Sequence, residues 1–91
     1  MARFSVSKSF TMSREEVREA AEELAQQLQA DHGLSYSWQG DTARFQRSGI
    51  DGVLTIDEGA LRVDVKLGML ASAFERPLKK AMNEYLDRYL S

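Results

Sequence analysis

At 91 residues, with 43 % hydrophobic and 29 % charged side chains, the chain has the make-up of one soluble globular domain. It contains no cysteine, which excludes disulfides, thiolate metal sites and a cysteine nucleophile. Its formal charge of −2 gives no global electrostatic reason to bind nucleic acid or anionic lipid.

No apolar run approaches the roughly 18 residues that a membrane span needs. The opening MARFSVSKSF alternates and lacks the apolar stretch of a signal peptide, so a reducing cytoplasm is the expected compartment. The first strand is expected over Arg3 to Phe10, with Phe4, Val6 and Phe10 on one face and serines on the other. Ser13 then reads as an N-cap, with Glu16 completing a capping box. Val17, Ala20, Ala21, Leu24, Ala25 and Leu28 repeat at helical spacing until Gly33, which suits a left-handed C-terminal position.

Beyond Gly33 the period switches to two. Leu34, Tyr36 and Trp38 share a face, Gly40-Asp41 forms a two-residue turn, and Ala43 and Phe45 continue inward. Ser48-Gly49 makes a second turn, and Ile50, Gly52, Leu54 and Ile56 alternate along the next strand. After a turn at Asp57–Ala60, the last strand carries Leu61, Val63, Val65 and Leu67. Helical spacing returns with Leu70, Phe74, Leu78, Ala81, Met82, Tyr85 and Tyr89. Pro77 interrupts it, so a short helical lead-in from about Met69 and then a main helix near Pro77 to Leu90 are expected, with a single helix kinked at Pro77 as the alternative.

The order β-α-β-β-β-β-α, closed by three hairpin reversals, predicts a five-stranded antiparallel sheet in the order 1-5-4-3-2. Both helices should pack on one face, giving a single α+β domain over residues 1–91. The stretch WQGDTARFQRSGIDG, residues 38–52, then has a folding explanation. Trp38 lies opposite Ala43, Tyr36 opposite Phe45, and Phe45 opposite Gly52, with every inward position keeping one parity.

Chemistry is scarce. His32, the sole histidine, stands in the last turn of the first helix, where the dipole favours a cation. The run Glu15, Glu16, Glu19, Glu22 and Glu23 reads as a solvated helix face, and neither a metal set nor a nucleophile–base pair is apparent. No catalytic residue and no cofactor is expected. Arg44, Arg62 and Lys66 project from the polar face, with Arg47 at its edge, but no aromatic platform accompanies them, and pairs such as Lys66 with Asp51 explain them more simply. A pocket between helices and sheet near Trp38, Tyr36, Tyr85 and Tyr89 is the alternative to plain core packing, and would make the chain a binder of a small apolar (acyl or hydroxyacyl) ligand or an enzyme acting on one.

The spacing W-x-G-D-x-x-x-F-x-R-S-G-x-D-G resembles the polyhydroxyalkanoic acid (PHA) system protein family, small bacterial proteins of polyester storage. The agreement extends to the capped alanine-rich helix, Leu67-Gly68, and the Pro77 helix with its Tyr85-Leu86-Asp87 ending. The resemblance implies a non-enzymatic accessory role through a PHA granule or a granule-associated protein, and supplies no catalytic residue. Trp38, Asp41, Arg47, Ser48 and Asp51 are its candidate contact or structural residues. Arg47 has inward parity and needs a partner, which Asp51 or the C-terminal helix would provide. Met69, Leu70, Leu86 and Leu90 are expected as leftover apolar surface, for a granule, a partner or a homodimer.

Overall fold

A computed structural model describes residues 2–90. The elements are β1 (Ala2–Ser9), α1 (Arg14–His32), β2 (Ser35–Gln39), β3 (Thr42–Arg47), β4 (Ile50–Asp57), β5 (Ala60–Leu67), a 3₁₀ helix (Met69–Phe74) and α2 (Glu75–Tyr89). The strands form one antiparallel sheet ordered β1-β5-β4-β3-β2, as the hairpin reversals predict. The expected facing pairs are present: Trp38 with Ala43, Tyr36 with Phe45, Phe45 with Gly52 and Ala43 with Leu54.

Parity divides the sheet into two faces. Phe4, Val6, Ala43, Phe45, Leu54, Val63 and Val65 are buried beneath the helices, together with Val17, Leu24 and Leu28 of α1 and Leu78 and Met82 of α2. At about 25 cal/mol per Å² of apolar surface, this shared layer is the dominant stabilising term. The positions between them carry serine, threonine and charge and face outward.

The ends of α1 follow from local chemistry. The Ser13 side chain accepts from the Glu16 amide while the Glu16 carboxylate accepts from the Ser13 amide, satisfying two orphan donors. At the other end Gly33 adopts φ 69° and closes the last turn onto Gln29 and Leu28.

Three points mark the C-terminal region. First, the short lead-in and the separate main helix are present, and not the alternative of one kinked helix: residues 69–74 form a 3₁₀ helix and α2 starts at Glu75. Pro77 sits in the first turn of α2, where its missing N–H has no intrahelical partner to lose. Second, Leu70 and Phe74, spaced for an α-helix, do not continue the buried stripe. A 3₁₀ helix turns every three residues, so positions four apart diverge. Leu70 is 97 % exposed and Phe74 49 %.

Third, Leu86 and Leu90, expected as leftover surface, belong to the core at 2 % and 5 % exposure. Leu86 extends the α2 stripe of Leu78, Met82 and Tyr85 by one further turn. The amide of Leu90 caps α2 by donating to Leu86, and its side chain lies on the same side. The first strand also differs slightly, ending at Ser9, and Lys8 shares the inward parity of Phe4 and Val6.

Candidate functional site

Trp38, Asp41 and Arg47 of the 38–52 stretch are tied to the middle and the two ends of α1. In the middle, Glu22 accepts from Trp38 Nε1 at 2.8 Å and from the Tyr36 hydroxyl at 2.5 Å. The Arg18 guanidinium covers the Trp38 ring, 3.4 Å from its centroid. Trp38 is thus half-buried, with its polar handle satisfied. This corrects the reading of Glu22 as part of a solvated face: it holds α1 against the edge strand β2. The Tyr36 hydroxyl keeps its carboxyl below the usual range, with Gln26, Trp38 and Arg18 assisting against the opposing effect of burial. The same hydrogen bond raises the Tyr36 phenol.

At the start of α1, Arg14 pairs with Asp41 of the first hairpin turn at 3.2 Å. At its end, Arg47 donates to the His32 carbonyl at 2.7 Å and lies 5.8 Å from the centre of the Phe74 ring. A guanidinium there satisfies an orphan carbonyl and meets the negative end of the helix dipole. The expectation that Asp51 or α2 would supply the partner is therefore wrong. Arg47 faces Ile50 in the ladder and points inward, whereas Asp51 faces Gln46 one step along and points outward. A single residue of offset puts the two charges on opposite faces.

The glycine after Ser48 is needed twice. Gly49 has φ 82°, and a Cβ built on it would stand 3.1 Å from the Cβ of Ala71. Its carbonyl accepts from the Gly68 amide at 2.7 Å, so the Ser48-Gly49 turn seats the start of the 3₁₀ helix. Gly52 differs: a Cβ would meet Asp64, Val65 and Phe45 at ordinary distances of 3.6–3.7 Å. Ser48 is exposed in the turn, and nothing in the structure accounts for it beyond the turn itself.

Two further ties join α2 to the rest. The Tyr85 hydroxyl donates to Asp31 at 2.8 Å, and Lys8 pairs with Asp87 at 2.7 Å. Burial, reinforced by the hydrogen bond to Asp31, pushes the Tyr85 phenol up to about 12. Gln27 and then Tyr85 hold the Asp31 carboxyl below its usual value. The Tyr-Leu-Asp ending thus supplies one hydrogen bond, one core side chain and one ion pair. Sequence reasoning missed Lys8; its inward parity at a strand end was the available signal.

Near the end of α1 an apolar corner is left uncovered among the described residues: Met69 is 79 % exposed, beside Leu70 and Phe74 of the same 3₁₀ helix. Beside it runs a groove of about 380 Å³ between the end of α1 and the start of α2, lined by His32, Arg47, Ile50, Phe74, Pro77 and Leu78. Among the described residues no His, Asp or Glu cluster could hold a metal ion, and no helix is long and apolar enough to cross a membrane. A family model described as "Putative polyhydroxyalkanoic acid system protein" matches residues 4–90. No curated protein and no solved structure matches the chain.

Proposed function

The chain belongs to the polyhydroxyalkanoic acid system protein family, and on that premise we propose that it is a non-enzymatic accessory protein contacting the storage granule through Met69, Leu70 and Phe74. The observation that carries this reading is the exposure of three large apolar side chains within one six-residue 3₁₀ helix. Single exposed hydrophobics are ordinary, but three within six residues, with Phe74 lining the neighbouring groove, support a contact surface. Burying such side chains contributes about 1.5–3 kcal/mol each before ordering costs. Once ordering and association costs are subtracted, three of them give a weak, reversible contact, suited to a surface that presents many sites.

Two features support the non-enzymatic part. Trp38, Asp41 and Arg47 are spent on Glu22, Arg14 and the His32 carbonyl. The carboxyls of Glu22 and Asp31 are lowered and the phenols of Tyr36 and Tyr85 raised, away from the near-neutral values that proton transfer favours. The alternative, an apolar ligand beneath the helices, meets a filled interior: Leu24, Leu28, Phe45, Leu54 and Met82 are each fully packed.

Sedimentation of native granules with the purified protein tests the proposal. Recovery in the granule pellet supports it, and retention in the supernatant removes granule contact. A concentration-dependent doubling of mass by light scattering, lost in Leu70→Ser, would assign the same corner to a homodimer instead.

A further inference from the structure

The outer face of the sheet, on the side away from the helices, carries a recess of about 270 Å³. Arg3 of β1, Lys66 of β5 and Arg44 of β3 stand around it, and Val53 of β4 lies between them. Arg3 and Lys66 are direct cross-strand partners. Like charges in that relation repel, so the ladder places them together at a cost that an anion would relieve.

Asp51 and Asp64 also line the recess and offset only part of that cost. Asp64 accepts from the Ser5 hydroxyl and pairs with Arg62 at 3.2 Å, one row away. Asp51 faces Lys66 in register, as expected, yet the two form no ion pair among the described residues. Arg44, opposite Val53, likewise has no carboxylate partner among them. Three cations without an ion-pair partner among the described residues thus line the recess together with these two carboxylates and Val53, the largest aliphatic side chain on an otherwise polar face.

We propose that this recess binds a compact organic anion, with one carboxylate or phosphate group held by Arg3, Arg44 and Lys66 and a short aliphatic body over Val53. A water molecule occupies about 30 Å³, so the volume suits a molecule of roughly ten heavy atoms. An extended polyanion fits poorly: the outward strand positions offer no aromatic for base stacking, and Asp51 and Asp64 would repel further phosphates. The inference is independent of granule contact, which uses a different part of the surface.

Titration of the labelled protein with butyrate, butyl phosphate and inorganic phosphate, followed by amide chemical shifts, tests it. The expected result is saturable shifts at Arg44, Val53 and Lys66 with butyrate or butyl phosphate, at a Kd of about millimolar. Whichever of the two binds more tightly identifies the oxyanion. Arg44→Gln and Lys66→Gln should each weaken binding about tenfold with the melting temperature unchanged, while Lys66→Arg stays within about twofold. Leu70→Ser should bind the probes as the unaltered chain does. Inorganic phosphate binding as tightly as butyl phosphate would overturn the aliphatic contact. Absence of saturation by every probe, or equal binding by the glutamine variants, would overturn the site.

Discussion

The turns at Gly40-Asp41 and Ser48-Gly49 are built alike and lead to different surroundings. Each is a two-residue loop with a left-handed glycine, φ 63° and 82°, at opposite ends of β3. Each is linked by one arginine to one end of α1. At the first turn the link is an ion pair between half-exposed side chains, and a Cβ on Gly40 would meet open space. At the second, a guanidinium caps the helix, the glycine is packed against Ala71, and the uncovered apolar corner begins at Met69, directly after Gly68. The same motif grammar thus serves as a simple reversal at one end and as the footing of an uncovered apolar corner at the other.

Substitutions that remove this asymmetry should have graded effects. Gly49→Ala combines left-handed strain of about 1–2 kcal/mol with the approach to Ala71, so a loss of about 2–3 kcal/mol is expected. That corresponds to a fall in Tm of roughly 10–20 °C, read by calorimetry. Gly52→Ala, with ordinary contacts and no positive φ, should cost far less; an equal loss would contradict the assignment. Arg47→Ala should cost about 1–2 kcal/mol by uncapping α1, with fraying of the last turn visible in amide exchange.

Acid and alkali probe the ties away from the turns. Glu22 and Asp31 have folded values below their ordinary 4.5 and 3.8. Their contribution is present above those values and is lost as pH falls through the lower folded ones. Tyr85 acts in the opposite sense: its contribution is present below 10.0 and is lost as pH rises towards about 12. Urea midpoints across both windows should fall at each extreme, and Tyr85→Phe should flatten the alkaline limb. The smallest effect is expected at the first turn, where Arg14→Ala should cost about 0–1 kcal/mol, vanishing at high salt.

Much of this architecture was legible because it depends on short-range pattern. The Ser13–Glu16 box, the period of two after Gly33 and the uniform inward parity from Leu34 to Leu67 determine the element order, the register and the sheet order. The partners of Glu22 and Arg47 were not legible, because they depend on where α1 crosses the sheet. Sixteen positions separate Glu22 from Trp38 and fifteen separate His32 from Arg47, and no local period encodes either approach. The exposed corner was legible only in part. Met69 and Leu70 stand out at once, but the choice between 3₁₀ and α winding sends Phe74 to the surface and leaves Leu86 and Leu90 inside.

Hydrogen exchange of the protein bound to native granules tests the central claim most directly. The account predicts added protection confined to the amides around Met69–Phe74, with the Trp38–Arg47 hairpin unchanged. Protection centred on Trp38, Arg47 and Asp51, with the 3₁₀ turn still exchanging freely, would contradict it.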